Sequence, residues 1–131
     1  NITKYFKFKS LTSKYPFPLQ YIKGDHSVLD YIYKIELDNT KIVYTGDTRP
    51  VNLSLFAKNA DYLIHEAGEL DSDKAHNSAH TTPIQAAEIA KRSNVKNLIL
   101  IHRPDFNQEL IDEIHSIFPN TLMPNDLDII E

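Results

Sequence analysis

The apolar run at residues 97–101 constrains the fold of this chain more than any other feature. Its sequence, Asn-Leu-Ile-Leu-Ile, is too short for a helix and lies between polar residues, which is typical of a strand buried on both faces. Residues 82–85, Thr-Pro-Ile-Gln, predict a helix start, because Thr suits the N-cap, Pro the first helical position and Gln a capping box. Apolar residues at helical spacing predict a further helix over 107–118. With a strand predicted at 62–64, the order is β-α-β-α, the pattern of a sheet covered by helices.

The first half of the chain predicts strands and a tight turn. Residues 2–9 alternate loosely between apolar and polar side chains, and apolar runs follow at 19–22 and 31–37. The run at 31–37 connects through Asp-Asn at 38–39 to a further run at 41–45, which predicts a β-hairpin.

Two other segments complete the predicted order of elements. Residues 68–81 lack periodicity and predict a polar loop, whereas residues 127–130 predict a last short strand. The whole pattern therefore predicts an α/β fold.

Composition narrows the class of protein. The 131 residues, 41% of them hydrophobic, suit a single domain over 1–131. The lack of Cys excludes disulfides and thiolate metal sites, so any metal must be held by His, Asp or Glu, and it favours a reducing, cytoplasmic compartment. No apolar run approaches the length of a membrane span. The net charge of -4 combines a lysine-rich start with an acidic end, which we interpret as solvated faces.

Three candidate site residues lie at the ends of predicted strands. Asp47 follows the run at 41–45, His102 closes the run at 97–101, and His26 lies in the polar segment after the run at 19–22. Strand ends converge at one edge of a sheet, so these side chains can form one site, and imidazole and carboxylate suit divalent ions. Spacing alone leaves open a second interpretation, in which each His is a hydrogen-bonded edge residue and the Asp forms a turn.

Four motifs in order add a family resemblance. They are Val-Tyr-Thr-Gly-Asp-Thr at 43–48, Ala-Asp-Tyr-Leu-Ile-His-Glu-Ala at 60–67, Ala-His-Thr-Thr at 79–82 with Gln-Ala-Ala-Glu-Ile-Ala at 85–90, and Val-Lys-Asn-Leu-Ile-Leu-Ile-His at 95–102. Together they resemble the second half of the metallo-β-lactamase fold, most closely its ribonuclease Z branch. Asp-His-Ser-Val at 25–28 resembles a His-Ser segment that lies upstream in similar hydrolases.

The resemblance implies a fold and a metal centre. In this family two divalent ions, usually zinc, lie at the edge of an αββα sandwich, and a hydroxide held between them attacks a phosphodiester or a carbonyl. The chain would be one half of that sandwich, with a mixed sheet and helices on its outer face. His26 resembles the residue that completes the shell of the first ion, Asp47 the carboxylate that bridges both ions, and His102 the last ligand of the second ion. Manganese is the alternative metal.

The resemblance also implies residues that act beside the metal. Glu66 resembles a Glu that orients a catalytic His, and His80 resembles that His, which donates a proton to the leaving oxygen or contacts the scissile phosphate. Thr48 and His65 are then expected to hold metal ligands through hydrogen bonds. Arg103 is expected to contact phosphate from the rim of the site.

One signature of the family is absent from the chain. The motif His-x-His-x-Asp-His, which supplies four ligands, would precede His26, yet residues 1–25 contain no His. Three of seven expected ligands are therefore present. Gly68 and Pro104 also depart from the ribonuclease Z pattern.

Two functional hypotheses follow. In the first, the chain is the C-terminal half of a metal-dependent phosphodiesterase or ribonuclease whose N-terminal half is missing, cleaved or on another chain. The segment alone is then inactive, RNA or another phosphodiester is the substrate, and the lack of an initiator Met is the trace of a cut. In the second, the chain is a metal-free, inactive remnant that serves as a structural or partner-binding module. We expect an exposed apolar sheet face in the isolated half, covered in a homodimer or by a bound partner.

Overall fold

The computed structural model describes residues 14–130, in which strands and helices follow one another along the chain. The elements are β1 (Leu19–Lys23), β2 (Tyr31–Leu37), β3 (Thr40–Tyr44), β4 (Tyr62–Glu66), α1 (Ser72–Ser78), α2 (Pro83–Ser93), β5 (Asn97–Ile101), α3 (Gln108–Ile117) and β6 (Thr121–Leu122). The strand predicted at 2–9 lies outside the described residues. None of the described helices has the length and apolarity needed to cross a membrane.

The described strands form one mixed sheet in the order β1-β2-β3-β4-β5-β6. Strands β1, β2 and β3 are antiparallel neighbours, and β3 to β6 run parallel. The predicted hairpin is present: Leu37 pairs with Thr40, and Asp38 and Asn39 between them have φ of 48° and 65°. Such left-handed backbone at both turn residues matches the right-handed twist of the strands. The structure therefore has the mixed α/β architecture that the sequence predicts.

Helix α2 begins where its capping box predicts. The Thr82 hydroxyl accepts a hydrogen bond from the Gln85 backbone N–H at 3.2 Å, and the Gln85 side-chain oxygen accepts one from the Thr82 N–H at 3.0 Å. The helix packs against β4 and β5. Leu63 and Leu98 are fully buried in the hydrophobic core. Burying one sheet face under helices supplies most of the apolar stabilisation of such a domain.

The opposite face of the sheet is apolar and only partly covered. Strand register places Tyr21 beside Tyr33, Tyr33 beside Tyr44, and Tyr44 beside Ile64. Successive side chains of a strand alternate between faces, so this row lies opposite the fully buried Val43. Tyr21 and Tyr44 are 42% and 41% exposed. An exposed apolar face is predicted from the sequence, and we call the surface around Tyr21, Tyr33, Tyr44 and Ile64 the tyrosine face.

Two local predictions are wrong. Residues 72–78, expected to lie in a polar loop, form α1, in which Asp71 caps the Lys74 N–H at 2.9 Å and only Ala75 is buried. A helix with almost no buried side chain shows no apolar periodicity, which explains the error. Residues 127–130 form no strand, because a turn at 126–127 leaves Leu127 with a φ of 72° and 99% exposed. The last described strand is β6.

Candidate metal centre

The candidate site lies where the parallel strands β3, β4 and β5 end. Asp47 follows β3, Glu66 is the last residue of β4, and His102 follows β5 directly. The parallel pairing of the three strands carries these residues to the same edge of the sheet. His80 joins them from the segment between α1 and α2.

Asp47, His80 and His102 form a group that could hold a metal ion. One ligand atom from each lies within 4.8 Å of the others, and His102 Nε2 is 3.9 Å from Asp47 Oδ2. Two imidazoles and a carboxylate form a donor set that suits zinc and similar divalent ions, so the residues present fit such an ion. Asp47 and His102, both predicted ligands, come together as expected, and His80, predicted as a proton donor, stands beside them.

A buried carboxylate fixes the ring of His80. Glu66 is 1% exposed, and its Oε1 lies 3.2 Å from His80 Nδ1. The same Oε1 accepts hydrogen bonds from the Thr48 and Thr81 backbone N–H groups at 3.0 Å each, while Oε2 accepts one from the Gly68 N–H at 2.7 Å. With Nδ1 donating to the carboxylate, the other ring nitrogen is left to face the group. The predicted pair of Glu66 and His80 is thus in contact.

His26 lies next to this group without belonging to it. Its ring centroid is 6.2 Å from that of His80, and its Nδ1 accepts a hydrogen bond from the Val28 N–H at 3.3 Å. A neutral ring whose Nδ1 accepts carries its proton on Nε2, so the ring must exchange this hydrogen bond before it offers Nε2 to an ion. The structure therefore brings together two of the three predicted ligands and leaves the third at the margin.

Thr48 and His65 differ in what they hold. Thr48 is fully buried, donates its N–H to Glu66, and accepts the Asp25 N–H on its hydroxyl at 2.9 Å. It therefore supports the carboxylate behind His80, not a ligand directly. His65 pairs with Leu100 on the helix-covered face, and its Nδ1 lies 2.8 Å from the Glu66 carbonyl oxygen. It does not hold a candidate ligand, and burial lowers its pKa to about 4.

Arg103 is engaged by the backbone of the C-terminal segment. Its Nη2 donates to the carbonyl oxygens of Met123 at 2.8 Å and Pro124 at 3.3 Å, and its guanidinium lies 5.1 Å from the centroid of the Phe106 ring. These contacts tie the segment after β6 to the end of β5. The contact with phosphate expected from the sequence stays a prediction.

A cavity of about 560 Å³ adjoins His102. Asp105, Asn125 and Asp126 contribute to its wall. The cavity has room for part of a substrate beside the candidate centre, and its wall carries the guanidinium of Arg103 as well as two carboxylates.

Sequence reasoning gave no role to the glycines, yet all three of the chain adjoin the site. A Cβ at Gly68 would lie 3.0 Å from both His102 Cδ2 and His80 Nδ1, which is tighter than ordinary contact. A glycine at that position lets the backbone approach both rings. The chain has only three glycines, and each lies within two residues of a candidate site residue. That placement in the sequence indicates positions where the backbone approaches site side chains closely.

The other two glycines enclose the carboxylate of Asp30. A Cβ at Gly46 would lie 2.8 Å from Asp30 Oδ1, and a Cβ at Gly24 would collide with Oδ2. Gly46 also has a φ of 65°, in the region that favours glycine. Asp30 Oδ2 is buried with no hydrogen-bond partner among residues 14–130, and burial raises the pKa of this carboxyl. A second acidic group thus lies against the loop that carries Asp47.

Most of the chain is similar in sequence to known proteins. Residues 12–103 match a family model described as the beta-lactamase superfamily domain. The chain is 40% identical over 107 residues to the Ribonuclease BN of Proteus mirabilis, a match that covers 76% of this chain and 35% of that protein. It is 41% identical over 111 residues to the Ribonuclease Z of Archaeoglobus fulgidus, covering 79% of this chain and 36% of that protein.

The fold has a counterpart among solved structures. The crystal structure of human tRNase Z, short form, superposes with a TM-score of 0.72 at 26% identity and covers 92% of this chain and 44% of that chain. The chain spans about a third of the length of the curated relatives it matches.

Proposed function

Because the chain belongs to the metallo-β-lactamase superfamily, in its ribonuclease Z-like branch, we propose that it carries part of the active centre of a metal-dependent phosphodiesterase acting on RNA. The convergence of Asp47, His80 and His102 at one sheet edge, with the buried Glu66 behind His80, is the observation that carries the proposal. The substrate class follows from the relatives, which are named ribonucleases. A chain without Cys suits the cytoplasm, which completes the proposal.

In this proposal Asp47 and His102 hold the metal, with His26 as a further ligand. The Asp47 carboxylate has two oxygens, so it has a ligand atom for each of two divalent ions. We propose zinc as the metal, with manganese as the alternative. Bound ions would supply Lewis-acid chemistry, polarising the phosphodiester and neutralising the charge that develops on its oxygens. Asp47 is 43% and His102 55% exposed, so both side chains are accessible to ions and substrate.

In this proposal, His80 donates a proton to the leaving oxygen and Glu66 orients His80. Glu66 is fixed by three backbone N–H groups and holds His80 by one ring nitrogen. The ring can therefore present its second nitrogen to the leaving oxygen in a constant orientation, and as an imidazolium, with both nitrogens protonated, it can deliver a proton there. Thr48 contributes by holding the carboxylate.

The remaining ligands come, in this proposal, from a further part of the αββα sandwich that packs on the tyrosine face. The chain spans about a third of its relatives, and the partly exposed Tyr21 and Tyr44 leave an apolar surface for such a part. That part lies either on the same polypeptide or on another one. A homodimer across the tyrosine face is the other arrangement, and analytical ultracentrifugation of the chain distinguishes the two.

Zinc content and phosphodiester hydrolysis test the proposal. We expect the chain to bind zinc in equilibrium dialysis and Asp47→Ala to lose most of that binding. Asp73→Ala is the control, because Asp73 is an exposed residue in the first turn of α1, and this variant should retain the binding. Without the other ligands, the chain should not hydrolyse bis(p-nitrophenyl) phosphate. A wild-type chain that binds no zinc would instead support the metal-free, partner-binding module.

One variant separates the two roles open to His80. If His80 delivers a proton, His80→Asn keeps zinc binding close to that of the wild type. A loss of zinc as large as that of Asp47→Ala would make His80 a ligand and refute the proton-donor assignment.

A further inference from the structure

Arg49 connects separate segments of the candidate centre. Its backbone N–H donates to the Asp25 carbonyl oxygen at 2.8 Å, and its Nη1 donates to Asp25 Oδ1 at 3.2 Å. Its Nε donates to the carbonyl oxygen of His76 at 2.7 Å. One side chain thus joins the β1–β2 loop to the last turn of α1.

Each of these segments leads to a residue of the proposed site. Asp25 precedes His26, Arg49 itself is two residues after Asp47, and His76 lies four residues before His80. The neighbouring Thr48 also bonds to the segments that contain His26 and His80. Its hydroxyl accepts a hydrogen bond from the Asp25 N–H, and its carbonyl oxygen accepts one from the Thr81 hydroxyl at 2.6 Å. The loops therefore meet at residues 48–49.

The chemistry of arginine suits this position. A guanidinium presents several N–H donors in a fixed plane, so it can bond a carboxylate on one side and a carbonyl on another, whereas a lysine ammonium on a flexible stem holds no such plane. The His76 carbonyl belongs to the C-terminal turn of α1, where partial negative charge favours a cation. The ion pair itself is partly solvated, with side-chain exposures of 23% for Arg49 and 62% for Asp25, so it adds little to global stability.

We propose that Arg49 is a positioning residue of the metal centre: by bonding Asp25 and His76 it fixes the loops that present His26, Asp47 and His80. The inference rests on the proposed function. It predicts that losing Arg49 weakens metal binding while leaving the metal-free fold nearly as stable.

The test compares Arg49→Ala with Arg92→Ala, an arginine in the last turn of α2, in the full chain. Zinc affinity is measured by competition with a chromogenic chelator, ligand geometry by the visible absorption of the cobalt(II) form, and stability by thermal unfolding in EDTA. We expect Arg49→Ala to bind zinc about 10-fold more weakly and to change the cobalt spectrum. Arg92→Ala should match the wild type, and both variants should unfold in EDTA within about 2 °C of it. Asp25→Asn, which keeps Arg49 in place, should weaken zinc binding less.

The outcomes separate this inference from the proposed function. If Arg49→Ala keeps the zinc affinity and the cobalt spectrum of the wild type, the positioning role is overturned and the proposed function is not. A second result also overturns the positioning role. If the unfolding midpoint of Arg49→Ala in EDTA falls greatly while Asp25→Asn binds zinc as the wild type does, Arg49 serves only the stability of the fold. A wild-type chain that binds neither ion overturns both proposals together.

Discussion

Replacing Glu66 by Gln tests whether a fixed carboxylate lies behind His80. The carboxylate accepts three backbone N–H groups and contacts one imidazole nitrogen. An amide replaces one oxygen by an NH2 group that can only donate. In its least damaging orientation, the NH2 group faces the Gly68 N–H, which now lies 2.7 Å from Oε2, and that one partly buried donor loses its acceptor.

The expected cost follows from that single lost acceptor. Leaving a buried N–H without a partner costs about 1–3 kcal/mol. The Gly68 N–H is only partly buried, so the lower end of that range applies. For a domain of this size about 1 kcal/mol moves the unfolding midpoint by about 4 °C, so we expect a fall of about 4 °C. The reverse orientation of the amide disturbs the Thr48 and Thr81 donors and costs more.

Thermal unfolding followed by circular dichroism, at pH 7 in EDTA, measures this fall without interference from metal. Glu88→Gln is the matched control, because Glu88 lies on α2 and is exposed. An unfolding midpoint of Glu66→Gln within about 1 °C of the control would refute the reasoning that backbone donors fix this carboxylate.

Two further predictions concern the metal and pH. In Gly68→Ala the new Cβ lies 3.0 Å from both His102 and His80, so we expect zinc affinity, measured by chelator competition, to fall about 10-fold; unchanged affinity would contradict the close approach. Burial lowers the pKa of His65 from 6.5 to about 4, so the unfolded chain binds more protons between these values, and the free energy of unfolding should fall by up to about 3 kcal/mol as pH drops through that window. His65→Leu removes this contribution, and urea midpoints between pH 7 and 5 that decline equally in both proteins would show that His65 does not titrate as described.

Much of the fold could be predicted because its signals are local. The run at 31–37 coincides with β2, and the capping box places the start of α2 correctly. Helix α1 was missed because its single buried residue leaves no periodicity to detect. The run at 127–130 was apolar enough to suggest a strand, but nothing in the described structure pairs with it, and local sequence does not reveal a missing neighbour.

Some features of the candidate site could likewise be predicted from the sequence, and others could not. Convergence of strand ends predicts that Asp47 and His102 lie together, because parallel pairing carries them to one edge. The adjacent residues His65 and Glu66 lie on opposite faces of β4, so only one of them can reach the site, and a motif resemblance alone does not say which. The bonds of Arg103 to Met123 and Pro124 depend on tertiary folding and leave no pattern in the sequence.

The tyrosine face also gives the protein an optical property. The chain has no Trp and seven Tyr, so its ultraviolet emission comes from tyrosine. By strand register, five of those seven, Tyr21, Tyr31, Tyr33, Tyr44 and Tyr62, lie on this one face. A partner that covers the face removes water from most of the emitting rings at once. Docking should therefore change the intrinsic fluorescence of the unlabelled chain, which provides a direct titration signal for finding whatever covers the sheet.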